Sequence, residues 1–237
     1  MRHAKRPCPI CGVPILGQRS TRRYCSNACR QRAKRQRAAA PVLTALRGEN
    51  NQLLRDVLRL YARPGHRILD MTYGRGLMWR KISKRQYRLI TLDAVTPAMV
   101  RADFRDLPFV AEAFDIAILD PPYAGHGKPE VKPSLADCYQ VNHDFAPRSV
   151  SKLRALYATG IEEAARVLKP SGVLIVKCQD QLSSGQEWIH AELLAVPGWK
   201  ALDLFVLVQQ GQPLMRWEHQ WHARKNHSYF VVLARAA

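Results

Sequence analysis

Three groups of residues have the types and spacing to do chemistry. The tetrapeptide Asp120-Pro121-Pro122-Tyr123 closes the apolar run AIL with an acid, two residues that lack an N–H, and an aromatic ring. A carboxylate and a proline-fixed carbonyl can both accept from one amino group, while the ring offers a stacking face. The second group, Asp70-Met71-Thr72-Tyr73-Gly74-Arg75-Gly76, follows the apolar pair Ile68-Leu69. Glycines at a strand-to-helix turn let a ligand approach the backbone closely. The third is cysteine: four of six fall as Cys8-x2-Cys11-x13-Cys25-x3-Cys29. Two close pairs can place four thiolates on one tetrahedral ion, and Zn2+ is the metal that suits them. Disulfides are the competing reading, but nothing marks the chain as secreted. Cys138 and Cys178 read as ordinary packing or loop residues.

The elements that must position these groups alternate along the chain. Strand candidates are 67–71, 87–93, 114–120, 172–178, 201–209 and 228–234. The clearest helix is SVSKLRALYATGIEEAARVLKP, expected to end at Pro170 and Gly172. Residues 42–61 read as a linker helix, a turn at Gly-Glu-Asn-Asn and an amphipathic helix. Alternating strands and helices predict an α/β fold with a parallel sheet covered on both faces. The last two strands, joined without a helix, predict an antiparallel pair at one edge.

Such a sheet binds ligands beyond the carboxyl ends of its strands. Asp93 ends the second strand seventeen residues past Gly76, where a carboxylate can accept both hydroxyls of a ribose. In ADFRDLPF, Asp103 can accept from an adenine amino group and Phe104 can cover the base. A dinucleotide site would want a third glycine where Trp79 stands, so the expected ligand is a nucleoside without phosphates, such as S-adenosylmethionine.

Charge points to a second partner. The chain of 237 residues is 47% hydrophobic, enough for one cored domain and a small appendage. It carries 37 Lys plus Arg against 19 Asp plus Glu, and residues 1–40 hold eleven basic residues with no acid. A one-signed surplus on a short segment suits a polyanion, most simply nucleic acid. Arg22, Arg23, Arg30, Arg32, Lys34, Arg35 and Arg37 are the expected phosphate contacts, several on a helix begun by Ser26-Asn27. No apolar run approaches the ~20 residues of a membrane span, and the basic N-terminus lacks a signal-peptide core. The expected setting is therefore cytoplasmic; the resemblance given below implies a bacterial or phage-infected host cell.

With D-x-T-x-G-x-G and DPPY fifty residues apart, residues 63–237 resemble class I S-adenosylmethionine-dependent methyltransferases of the amino-group family, marked by (D/N/S)PP(Y/F/W). The resemblance implies a Rossmann-like sheet, mostly parallel with an antiparallel edge strand. It implies cofactor binding by Asp70, Thr72, Gly74, Gly76, Asp93, Asp103 and Phe104, and catalysis by Asp120, Pro121, Pro122 and Tyr123. The family methylates adenine N6 or cytosine N4 in DNA, with relatives acting on RNA and on protein glutamine. Aspartate in the first position resembles the adenine-N6 enzymes, which makes adenine in DNA the leading target, ahead of adenine in structured RNA and cytosine N4. A non-enzymatic nucleic-acid adaptor on a vestigial fold is the rival class; the intact Asp70, Gly74, Gly76, Asp93 and Asp120 weigh against it.

Residues 8–37 resemble small treble-clef or ribbon-like zinc modules, giving the order zinc module 1–37, linker and helix 38–62, and methyltransferase domain 63–237. Two loops are left to read the target. Residues 124–149 suit a lid beside Tyr123, and residues 210–227 interleave Trp217, Trp221, Arg216, Arg224 and Lys225 for stacking and phosphate contact. Within the second, HARKNHSYF resembles the closing segment of bacterial and phage-type DNA methyltransferases. His219-x2-His222 is read as hydrogen-bonding rather than metal-binding.

Overall fold

A computed structural model of the chain describes residues 7–15, 23–38, 41–123, 147, 149–183, 185–209, 221–223 and 225–236, with the backbone alone for 34–38. It divides into two units, Met1–Val42 and Leu43–Ala237.

In the smaller unit a tight turn brings the first cysteine pair together. Gly12 sits at φ +72° and donates to Cys8 O at 2.9 Å, while Cys8 N–H reaches Val13 O and Pro7 bridges Pro14. Helix α1, Asn27–Ala38, is capped by Ser26, whose Oγ accepts from Cys29 N–H at 3.2 Å. Among the described residues the buried apolar side chains of this unit are Cys8 and Ala33. That is too little apolar surface to hold a fold by itself.

The larger unit is an eight-stranded sheet. In chain order its elements are β1 (Ala45–Arg47), α2 (Asn50–Tyr61), β2 (Arg67–Asp70), β3 (Arg88–Asp93), β4 (Val100–Arg101), β5 (Phe114–Leu119), α3 (Val150–Val167), β6 (Leu168–Cys178), a small hairpin of β7 (Gln181–Leu182) and β8 (Gln186–Glu187), α4 (Ile189–Leu194), β9 (Trp199–Val208) and β10 (His227–Arg235). The sheet order is β1-β9-β10-β6-β5-β2-β3-β4, and every neighbouring pair is parallel except the two that β10 makes. The chain runs outward from β2 through β3 to β4, then returns to β5 on the other side of β2. This is the doubly wound, Rossmann-like arrangement, and its reversal point lies between the carboxyl ends of β2 and β5.

Alternating residues of the central strands face two layers. Leu69, Ala117, Leu119, Leu174, Val176, Val231 and Leu233 share a core cluster with Leu153, Tyr157, Ile161 and Ala164 of α3. Gly160 lets α3 approach closely, since a Cβ there would lie 2.9 Å from Leu119 Cδ2. The opposite set, Ile68, Ile116, Ile118, Ile175, Phe230 and Val232, is also fully buried. Runs buried on both faces are why these strands are legible as continuous apolar stretches.

Three expectations are corrected. Residues 45–47 are not helical: β1 extends the sheet along β9, with Val206 N–H donating to Thr44 O at 2.7 Å. The helix α2 begins only after Gly48 and is fixed by Gln52 Oε1 accepting from Glu49 N–H at 3.0 Å. Nor does the antiparallel strand lie at an edge. β10 returns into the gap between β6 and β9 and is antiparallel to both. Finally α3 stops at Val167 and β6 starts at once; Pro170 and Gly172 sit in the strand's opening stretch, where its register against β5 is irregular. No helix among the described residues is long and apolar enough to cross a membrane.

Candidate active site

The ends of β2 and β5 are tied to each other before any side chain reaches outward. Met71 N–H donates to Ile118 O at 2.9 Å, and Thr72 Oγ1 accepts from Asp120 N–H at 2.7 Å. Thr72 thus links the glycine turn to the DPPY tetrapeptide directly. Gly74 and Gly76 take φ of +54° and +67°, conformations that an L side chain resists.

Asp70 is fully buried and accepts from Thr72 N–H at 3.1 Å and from Trp79 Nε1–H at 2.6 Å. Burial pushes its carboxyl up to about 7, against the pull of those two hydrogen bonds, and the charges of Asp120 and Asp93 add to the rise. Trp79, itself 1% exposed, is therefore more than a residue standing where a glycine was wanted. It anchors the acid of the turn.

Asp93 is half-buried and already well used. It accepts from Gly74 N–H at 2.8 Å, Val95 N–H at 2.9 Å and Thr96 N–H at 2.7 Å, while Thr96 Oγ1 donates to Gly74 O at 2.8 Å. Of roughly four acceptor positions on a carboxylate this leaves about one, so in this structure Asp93 chiefly clamps the glycine turn.

Asp103 and Phe104 lie on a segment pinned to α3. Glu163 accepts from Leu107 N–H at 2.7 Å, and Arg166 donates to the carbonyls of Phe109 and Leu107 at 2.6 and 2.8 Å. Asp103 is engaged by Arg105, whose Nη2 stands 2.5 Å from Oδ2, and its carboxyl is lowered on balance, with burial opposing that ion pair. Phe104 is 7% exposed and packs beside Leu119 against Gly160, a core ring under the site rather than an open cover for a base. Above the turn, Tyr73 folds over Gly76, and Lys84 Nζ donates to its hydroxyl at 2.8 Å.

At the carboxyl end of β5, Pro121 is buried while Asp120, Pro122 and Tyr123 are half-buried. Opposite them stands a residue that sequence reasoning missed. Lys177, 6% exposed, donates to Asp120 Oδ1 and Oδ2 at 3.1 and 3.0 Å and to the Tyr123 hydroxyl at 2.8 Å. The signal was available as a lysine closing the apolar run GVLIV, on a strand whose Val176 pairs with Leu119. The expected lid falls mainly outside the described residues, which resume at 147 and 149.

A second polar cluster lies past the end of β6. Asp180, 2% exposed, meets His190 Nδ1 at 2.7 and 2.8 Å; His190 stacks on Tyr229, and His227 Nε2 lies 2.9 Å from the Tyr229 hydroxyl. Lys225, expected to meet phosphate, is turned into this cluster, 3.8 Å from Asp180 and 4.3 Å from the centre of the Trp188 ring. Trp221 is 87% exposed, whereas Trp217, Arg216, His219 and Arg224 lie outside the described residues.

The cysteine sulfurs of Cys8, Cys11, Cys25 and Cys29 all lie within 4.8 Å of one another. Cys11, Cys25 and Cys29 are 3.4 to 3.6 Å apart, too far for a disulfide and close to the separation of thiolates on a tetrahedral zinc. Hydrogen bonding to Cys11, then to Cys29, pushes the Cys25 thiol up to about 12. The donor set fits Zn2+. Arg23, Arg30 and Arg32 are exposed nearby in sequence; Lys34, Arg35 and Arg37 continue along α1, and Arg22 lies outside the described residues.

No protein-family model and no curated protein matches the sequence. Among solved structures, TrmN from Thermus thermophilus aligns at 21% identity and a TM-score of 0.49 over 85% of this chain and 52% of its own, so the chain spans about half that protein's length. An rRNA methylase from Streptococcus thermophilus aligns at 13% identity and a TM-score of 0.46, over 81% of this chain and 99% of its own. The 1,6-didemethyltoxoflavin-N1-methyltransferase of Burkholderia thailandensis, solved with S-adenosylhomocysteine, aligns at 16% identity and a TM-score of 0.46, over 79% and 77%. These are partial likenesses of fold, and the chemistry of the site rests on the residues described above.

Proposed function

We propose that the chain is an S-adenosylmethionine-dependent methyltransferase that methylates the exocyclic N6 of adenine in DNA, acting on a base turned out of the helix. The observation that carries this reading is the Thr72–Asp120 hydrogen bond at the sheet reversal. It joins a glycine turn able to admit a nucleoside to an acid, a proline carbonyl and a ring able to hold an aromatic amine.

When bound, S-adenosylmethionine supplies a sulfonium methyl. Asp70, Thr72, the glycine turn and Asp93 are the residues that would hold it, with Asp103 at the adenine end. An exocyclic amine is a poor nucleophile because its lone pair is delocalised into the ring. Asp120 and the Pro121 carbonyl, each accepting from the NH2 group, would turn that lone pair toward the methyl and favour positive charge as it grows on nitrogen. Transfer would form the nitrogen–carbon bond at the expense of the cofactor's sulfur–carbon bond, and Asp120 would accept the surplus proton from nitrogen. Tyr123 would stack on the base, which a duplex must release to reach such a pocket.

The basic small unit, with Zn2+ on its four cysteines, would grip the phosphate backbone with little sequence preference. Incubating the protein with isotopically labelled S-adenosylmethionine and either DNA or RNA, followed by nucleoside mass spectrometry, tests the reading. N6-methyladenine in DNA is the expected product. Label in RNA alone or in N4-methylcytosine would replace the substrate, and no label in either nucleic acid would overturn the enzymatic reading.

A further inference from the structure

We propose that Lys177 is the positioning residue of this site, setting the direction of the Asp120 carboxylate and of the Tyr123 ring toward a target amine. The inference rests on the methyltransferase reading and adds to it a residue outside the DPPY tetrapeptide.

An ammonium group has three N–H donors, and a buried one is costly unless it is paired and hydrogen-bonded. Here the ammonium meets both oxygens of the Asp120 carboxylate in one forked contact and donates separately to the hydroxyl of Tyr123. The ammonium also lies 5.0 Å from the centre of the Tyr123 ring. Its side chain is 8% exposed and that of Asp120 21%, so the ammonium lies inside while the carboxylate keeps an open side at the rim. The backbone beneath is fixed, because Tyr157 donates its hydroxyl proton to Lys177 O at 3.1 Å. Register delivers the contact: Leu119 pairs with Val176, which puts the residues that follow, Asp120 and Lys177, side by side at one rim.

The arrangement solves a specific problem. Prolines 121 and 122 constrain the main chain of the tetrapeptide but leave the side-chain torsions of Asp120 and Tyr123 unset. Both must converge on one amine and one ring for the lone pair to point at the methyl group. Lys177 joins their polar ends through a single atom, which restricts both torsions together. The forked contact leaves acceptor capacity on both Asp120 oxygens, so a target amine can be received without breaking the pair.

The test compares Lys177→Met, similar in length and without charge, with Lys177→Arg, in the full-length protein. Two readouts are used. Crystal structures with S-adenosylhomocysteine report whether Asp120 and Tyr123 keep their orientations; turnover on DNA, with KM for S-adenosylmethionine, reports the consequence. In Lys177→Met both side chains are expected to rotate and kcat to fall about 100-fold, with KM for cofactor within about threefold. Lys177→Arg is expected to hold Asp120 and recover at least about a tenth of wild-type kcat. Unchanged orientations in Lys177→Met would overturn the proposal, as would equal loss of kcat in the two variants. The structural arm needs no turnover, so it decides the role of Lys177 even if the wild type methylates no nucleic acid and the functional reading fails.

Discussion

Replacing Trp79 by Phe removes the indole N–H that donates to Asp70 Oδ2 at 2.6 Å while keeping an aromatic ring in a site 1% exposed. The consequence depends on pH because Asp70 does. With a folded value of about 7 against an ordinary 3.8, the native state holds this proton across that interval. Stability from this group is therefore greatest at acid pH, falls as pH rises from about 4 to about 7, and levels off above; three units at about 1.4 kcal/mol each make the fall about 4 kcal/mol. Below pH 6 Trp79→Phe loses a hydrogen bond to a neutral acid, about 1 kcal/mol, plus about 1 kcal/mol for the smaller ring. Above pH 8 it loses a bond to a buried carboxylate, about 2 kcal/mol, with the same packing loss. Urea unfolding followed by far-ultraviolet circular dichroism at pH 5.5 and 8.5 should thus show a destabilisation larger by about 1 kcal/mol at the higher pH. Equal destabilisation at both pH values would refute the claim that Trp79 supports a buried charge.

Chelation of zinc should cost the small unit its fold, read as loss of amide protection across α1, and weaken nucleic-acid binding. Affinity for S-adenosylhomocysteine should stay within about twofold, and its loss would contradict a separate cofactor-binding unit. Gly160→Val should lower the urea midpoint by the equivalent of about 1 to 3 kcal/mol, since a Cβ there already stands 2.9 Å from Leu119 Cδ2 and 3.2 Å from Phe104 Cδ2. A midpoint at or above wild type would contradict the close approach of α3 to β5.

The parts of the fold that could be read from sequence are those whose patterns are local. Ile116 to Leu119 form an unbroken buried run, and the cysteine spacing specifies a turn through Gly12. The short strands β1 and β4 are two or three residues long, and no periodicity can be read from so few. The place of β10 depends on which side of β9 the returning chain enters, a choice made by the whole sheet. Lys177 was missed for a related reason: its partner lies 57 residues away and meets it only through strand register. Phe104 is harder to read, because an aromatic beside an acid looks alike whether it covers a ligand or fills the space opened by Gly160. Lys225 is expected from sequence to meet phosphate, and its contact with Asp180 is not legible there because Asp180 follows another strand.

The central claim is that Asp120, at the end of β5, holds an amine for methylation beside the glycine turn of β2. Its most direct test is methyl transfer from deuterium-labelled S-adenosylmethionine to DNA by the wild type and by Asp120→Ala, read as labelled N6-methyladenine by mass spectrometry. The wild type should form the product, and Asp120→Ala should form it at least about 100-fold more slowly while still binding S-adenosylhomocysteine. Equal product from the two proteins would contradict the account.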